Sequence, residues 1–214
     1  MTTKLHSLFS FMTRYNWRTI NNINFNNGLY IIFENGEKYN KTDRIVRVGT
    51  HNSDGRLKAR LKNHFINENK DGSILRKNIG KAILSRSHDI YLGIWSKNSS
   101  NKSKMENVPG YDSDYQKLIE TLVSKYMREN MSFSCFSVST EVERLRLEEG
   151  IIATLNKNKD FYASVDWLGN YSPEEKIRQS GMWLKQGLNK EPLSETEIKQ
   201  IEMYCSATEI PLFK

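Results

Sequence analysis

The chain has 214 residues and a formal net charge of +7, from 32 Lys and Arg against 25 Asp and Glu. That length suits one ordinary domain, or a domain with an appended piece, and the cationic balance points to nucleic acid, whose phosphates reward it, ahead of general solubility. No apolar run approaches the roughly 18 residues of a membrane span, Leu5 to Met12 is too short and interrupted for a signal peptide, and Cys135 and Cys205 share no metal-ligand spacing, so a reduced, cytoplasmic protein is expected.

Lys4 to Ile20 places Leu5, Leu8, Phe9, Met12 and Trp17 on one side, which predicts an N-terminal helix, and Asn21 to Asn27 is a polar connector. Two β-branched and aromatic runs follow, Gly28 to Phe33 and Arg44 to His51. The segment between them holds Asn35-Gly36, a strong turn dipeptide, so an antiparallel hairpin with a long loop is expected. After His51 the period lengthens, with Leu57, Leu61 and Phe65 on one side of a helix; Arg60 and His64, four apart, share a face of it. Ile66 to Gly72 reads as loop, Arg76 to Ser85 as helix, and Asp89 to Trp95 as a third strand or a covered segment. Ser96 to Ser113, with Pro109-Gly110, is the least ordered stretch.

Tyr115 to Glu129 predicts a helix whose inner edge is Leu118, Leu122 and Tyr126. Ser132 to Ser137 alternates as a strand, with Cys135 in the core. Thr140 opens a helix to about Asn158 through a capping box with Glu143. Beyond Phe161 come a loop with Trp167-Leu168-Gly169, a helix opened by Ser172-Pro173 and a last helix capped near Ser194, with Trp167 and Trp183 as core anchors. The expected fold is α/β of the α+β kind: a small mixed or antiparallel three-stranded sheet flanked by helices, with a helical C-terminal extension. The divisions fall at 1–27, at 28–158 with a flexible polar insertion about 96–113, and at 159–214.

The Thr140 helix carries a chemical signal. At about 100° per residue, the mean direction of Val142, Leu145, Leu147, Ile151, Ile152 and Leu155 lies within about 10° of Glu148, while Glu149 points roughly 95° away. A carboxylate in the middle of an apolar face is costly unless it is paired, protonated or metal-bound. Arg60 is the candidate partner if it is paired.

Gly28-Leu29-Tyr30, Arg47-Val48-Gly49, Arg60 with His64, and Glu148 come in an order that resembles the GIY-YIG nuclease superfamily. Its signature is a Gly-x-Tyr strand, a second strand ending in Tyr-x-Gly, a helix bearing an Arg, and a Glu on a later helix. The Arg-x-x-x-His spacing is similar to that of restriction-enzyme members. The likeness covers roughly Gly28 to Asn158, and the stretches Gly72 to Arg76 and Trp167 to Gly169 are similar to stretches in bacterial proteins of this type.

The resemblance implies a metal-dependent endonuclease that hydrolyses DNA phosphodiester bonds with one Mg²⁺ (or Mn²⁺) held by Glu148. Arg60 would then neutralise a non-bridging oxygen, its fixed fork suiting phosphate better than Lys, and Tyr30 would deprotonate or position the water. A Tyr with an ordinary pKa near 10 is a poor base, so nearby cations would have to lower it. His64 is read as a partner of Tyr30, a proton acceptor, a phosphate contact or a plain surface histidine. His51 supports the site or replaces part of the missing Tyr. Arg56, Lys58 and Lys62, with Arg76, Lys77 and Lys81 beyond, are candidate nucleic-acid contacts. Arg47 replaces the second signature Tyr, and three roles stay open for it: a phosphate clamp, a cation acting on Tyr30, or the mark of a non-catalytic nucleic-acid-binding module on the same scaffold. The oligomeric state is open; cutting both strands from one site requires a homodimer or sequential nicking.

Overall fold

A three-stranded antiparallel sheet, ordered β2-β1-β3, carries the site: β1 is Gly28–Tyr39, β2 Thr42–Gly49 and β3 Met131–Ser137. The computed structural model describes residues 1–209, apart from the side chain of Lys102. Successive side chains of β1 point to opposite faces, so Tyr30 and Ile32 join one core and Leu29, Ile31 and Phe33 the other. Helices α2 (Leu57–Phe65), α3 (Ile74–Arg86) and α6 (Ser113–Asn130) supply the first core; α1 (Thr2–Ser10), α7 (Glu141–Asn156) and α9 (Glu195–Glu209) supply the second. The expected α+β architecture with a helical C-terminal part is what forms. Among the described residues no helix is long and apolar enough to cross a membrane.

The hairpin turns later than Asn35-Gly36 suggests. Tyr39 pairs with Thr42, so Asn40 and Lys41 make the reversal, with Asn40 left-handed at φ 53°. Gly36, at φ 86°, instead lies where the register slips between Phe33 and Lys38. Side-chain anchoring of Glu34 and Glu37, both buried, holds this stretch against the fold and overrides the local turn signal. A second slip skips Val46, because Ile32 faces Arg47 and Phe33 faces Ile45. Such a β-bulge re-aims side chains, and here it matters for Arg47.

Two further expectations are corrected, one open alternative is decided and one stretch gains detail. The N-terminal helix stops at Ser10, because Tyr15 forms a bridge with Phe133 (N–H to O 2.7 and 2.9 Å) and covers the free edge of β3. Asp89 to Trp95 is not a strand; it ends in the short α4 (Leu92–Trp95), whose Trp95 ring lies where a Cβ on Gly80 would stand and donates to the Lys77 carbonyl at 2.9 Å. The 96–113 stretch contains α5 (Lys102–Glu106), and near its start Asp71 accepts from the Ser99 N–H and hydroxyl at 2.7 and 2.6 Å. In α6 the buried edge is Ile119, Val123 and Met127, whereas Leu118 and Leu122 are exposed. Glu120 and Ser124 turn that face inward by accepting bonds from the buried Arg76.

The C-terminal part serves both faces of the sheet. Trp167, Leu168, Ile177 and Trp183 enter the first core, and Phe161, Met182, Leu184, Ile198 and Ile201 the second. The Trp183 N–H donates to the Val46 carbonyl at 2.8 Å, which lays this segment along β2, and α8 (Glu175–Ser180) precedes it. Cys135 and Cys205 are free and buried, and burial pushes both thiols up.

Candidate active site

The two signature glycines are there because nothing larger fits. A Cβ on Gly28 would lie 2.1 Å from the Phe136 carbonyl oxygen of β3, and one on Gly49 would lie 2.2 Å from the Tyr30 hydroxyl. Gly49 pairs directly with Tyr30, so the phenol lies across it and points off the sheet. Its hydroxyl meets His64 Nε2 at 2.8 Å, and His64 Nδ1 meets the Ser73 hydroxyl at 2.6 Å. Ser73 also caps α3 by accepting from the Arg76 N–H.

His64 is therefore no surface histidine. It is fully buried, and its pKa lies well below the usual value, first through desolvation and then through the charges of Arg47, Arg60 and Arg76. The ring is neutral at neutral pH. Assigning its proton to Nδ1, facing Ser73, leaves Nε2 to accept from Tyr30.

In front of Tyr30 opens a cleft of about 1120 Å³ that gathers Arg47, His51, Arg56, Arg60 and Glu148. Leu147, Ile151, Ile152 and Leu155 of α7 are buried, but Val142 and Leu145 are exposed, so the buried face is narrower than its sequence suggests and Glu148 stands at its border. Desolvation raises the Glu148 pKa; Arg47, the Thr50 N–H and Arg60 oppose the rise without cancelling it. Among the described residues no cation lies within ion-pair distance of Glu148, so the alternative of a pair with Arg60 does not form. Arg60 instead donates to the Gly72 carbonyl at 3.2 Å. Glu149 points to the rim and meets Lys190 at 3.2 Å.

The resemblance implies a divalent ion held by Glu148. Among the described residues no three His, Cys, Asp or Glu side chains converge, which rules a closed structural site out of this region. One desolvated, unpaired carboxylate facing an open cleft does suit Mg²⁺, which keeps several waters and is commonly bound by one or two carboxylates plus substrate phosphate.

The remaining candidates divide. His51 is buried beside the cleft: Nδ1 donates to the Ser53 carbonyl at 2.7 Å, and Nε2 accepts from the Gly28 N–H at 3.2 Å, so it fixes the start of β1. Desolvation lowers its pKa. Arg56 is exposed at the cleft, and Lys58 and Lys62 are partly exposed on α2. Arg76 corrects the expectation of a basic stripe: it is fully buried, bonded to Glu120 at 2.7 Å, and out of reach of any phosphate. Lys77 is half-buried against Asp71 and the Lys97 carbonyl, and Lys81 pairs with Glu174. Ser73 and the cleft wall from Leu184 to Gly187 were not foreseen. Ser73 lies in the Gly72 to Arg76 stretch, which is noticed only through its resemblance to bacterial proteins of this type; nothing periodic or chemical marks the wall.

A Gly-x-Tyr strand, a partner strand ending in glycine, an arginine helix and a glutamate helix around one cleft define a GIY-YIG-type nuclease scaffold. The family model for the GIY-YIG domain matches residues 14–209, and the chain belongs to that family, whose members are nucleases. The match extends past both ends of the Gly28 to Asn158 stretch. No curated protein and no solved structure matches the chain.

Proposed function

We propose that this protein is a divalent-metal-dependent endonuclease that hydrolyses DNA phosphodiester bonds by a one-metal mechanism. The observation that carries the reading is Glu148: a desolvated carboxylate without an ion-pair partner, in the same cleft as Arg60 and the Tyr30 that His64 holds. Hydrolysis forms a bond from a water oxygen to phosphorus and breaks the bond from phosphorus to the departing sugar oxygen. Tyr30 donates its proton toward His64 Nε2, so the phenol oxygen presents lone pairs to the attacking water. As the water attacks, its proton passes to Tyr30 and the Tyr30 proton passes to His64, while the departing sugar oxygen takes a proton from solvent.

Burial and the arginines keep His64 neutral in the free protein, with its Nε2 lone pair facing Tyr30, but they weaken it as a base. A phosphodiester anion beside Arg47 and Arg60 offsets two of the charges that depress His64, which strengthens the base when substrate is bound. Arg60 meets charge growing on a non-bridging oxygen. A Mg²⁺ or Mn²⁺ on Glu148 would supply Lewis-acid stabilisation of the scissile phosphate and the departing alkoxide. The basic surface of the chain and the exposed Arg56, with Lys58 and Lys62 on α2, favour DNA as the partner.

Replacement of the second signature Tyr by Arg47 favours one other reading, a module that binds nucleic acid without cutting it. Supercoiled plasmid incubated with Mg²⁺ or Mn²⁺ separates the two. The wild type nicks or linearises it, and EDTA abolishes the reaction. Glu148→Ala lowers the rate by about 10²–10³, the range for losing one strong electrostatic contact. Salt-sensitive binding without cutting under either metal selects the binding module instead.

A further inference from the structure

We infer that Arg47 is a catalytic phosphate-binding residue of this cleft, held in place by the C-terminal segment, and that with Arg60 it takes the non-bridging oxygens of the scissile phosphodiester. The inference rests on the nuclease reading for its catalytic part; the contact with a phosphate does not depend on it.

Four arginines are buried among the described residues: Arg44, Arg47, Arg76 and Arg144. Three of them meet a carboxylate: Arg44 with Glu37 at 2.6 Å, Arg76 with Glu120 at 2.7 Å and Arg144 with Asp54 at 3.0 Å. Arg144 also leaves its Nε unbonded, but its charge is met by Asp54 and by the Val138 and Ser139 carbonyls. Arg47 has no such acid. It is 7 % exposed, its Nη1 donates to the Trp183 carbonyl, and its Nε is buried with no partner at all. Of the four, it alone lines the cleft.

A buried guanidinium N–H with nothing to bond is costly, and a buried charge more so. Removing the charge would be the cheaper design unless an anion arrives. The bulge at Val46 and the pairing of Ile32 with Arg47 set the guanidinium on the Tyr30 face of the sheet. Trp183 then fixes it from outside: its N–H bonds Val46, its carbonyl holds Nη1, and its indole is anchored on Glu34 at 2.8 Å. With Nη1 taken and Nε buried beside it, Nη2 is the edge of the planar fork left for an oxyanion, and such forks match phosphate.

Two substitutions test this, each read in three ways: single-turnover cutting of supercoiled plasmid with Mg²⁺, binding of a short DNA duplex in EDTA across a salt series, and thermal melting. Arg47→Met keeps the unbranched bulk and removes the charge; Arg47→Lys keeps a donor for the Trp183 carbonyl but loses the fork. Arg47→Met is expected to cut about 10²–10³-fold more slowly and to reduce the slope of log affinity against log salt by about one. Arg47→Lys is expected to melt like the wild type and still cut at least about tenfold more slowly, as a fork-dependent contact requires. A folded Arg47→Met that cuts at the wild-type rate with the slope unchanged overturns the inference. If Arg47→Met does not fold, Arg47→Lys decides, and wild-type cutting by that variant overturns it. If the wild type cuts nothing, the nuclease reading fails, and the salt slope alone decides whether Arg47 holds a phosphate.

Discussion

Glu34 and Glu148 are both carboxylates drawn out of water beside the same sheet, and burial pushes the pKa of each up. Their surroundings differ completely. Glu34 accepts from the Trp167 indole at 3.1 Å, the Trp183 indole at 2.8 Å and the Tyr126 hydroxyl. Those donors come from α6 and from two points of the C-terminal part, so one side chain on β1 joins three separate stretches of chain. Glu148 has no comparable set of donors and opens onto the cleft. A buried carboxylate with a donor on each oxygen is a joint. One whose lone pairs are left over is held for something that arrives.

The largest expected effect sharpens that contrast. Glu34→Ala strands two indole N–H groups and a phenol in the core, at about 1–3 kcal/mol for each unsatisfied group. A loss of at least about 3 kcal/mol of stability is therefore expected, seen as a lower urea midpoint. Glu148→Ala strands no side-chain donor and should unfold near the wild-type midpoint while its cutting collapses. Equal midpoints for the two variants would sink the distinction between joint and site.

The same contrast separates what the sequence discloses from what it hides. The order of the family's motifs singles out Tyr30, Arg60 and His64, and Glu148 stands out besides as an acid amid apolar neighbours on α7; the fold puts Tyr30, Arg60 and Glu148 on one cleft with His64 bonded behind Tyr30. Arg76 looked like a surface cation because its partner, Glu120, lies 44 residues away. The inner edge of α6 was misplaced by the same pair, since a buried Glu and Ser imitate a polar face. Asn35-Gly36 had the right turn chemistry, yet the tertiary partners of Glu34 and Glu37 outweighed it. The Trp183 segment, which anchors both Glu34 and Arg47, has no period and no motif; its role exists only once the sheet is formed.

His6 adds a third buried titratable group, this time in the other core. Its Nδ1 donates to the Thr2 carbonyl at 2.9 Å, Nε2 accepts from the Ile45 N–H at 3.3 Å, and the ring stacks on Tyr39. Desolvation lowers its pKa to about 4, with the charge of Arg44 adding to the drop and the Thr2 carbonyl opposing it. Above pH 6.5 the ring is neutral folded or unfolded, and nothing is lost. As pH falls from 6.5 towards 4, the unfolded chain takes a proton that the folded chain refuses, so stability declines. Each tenfold drop in proton affinity is worth about 1.36 kcal/mol, which makes the full loss about 3 kcal/mol. His64 pulls in the same direction and the raised carboxyls in the other, so the quantity to measure is the difference between wild type and His6→Gln. Denaturant midpoints from pH 7 to pH 4 should converge on acidification, the wild type losing stability faster; parallel curves would show that His6 titrates normally.

The smallest effect returns to the two carboxylates and asks for a change of sign. In EDTA at pH 7, Glu148 carries a desolvated charge without an ion-pair partner, and Glu148→Gln removes that charge at almost constant volume. The variant should melt slightly above the wild type. Glu34→Gln replaces an acceptor-only group by one whose amide hydrogens face three donors, so it should melt below it. Mg²⁺ then inverts the first result only: a ligand that binds the native state stabilises it by RT ln(1 + [L]/Kd), a gain open to wild type and Glu34→Gln but closed to Glu148→Gln. If Mg²⁺ raises the melting temperature of Glu148→Gln as much as that of the wild type, the ion binds elsewhere, and the unpaired carboxylate of α7 needs another explanation.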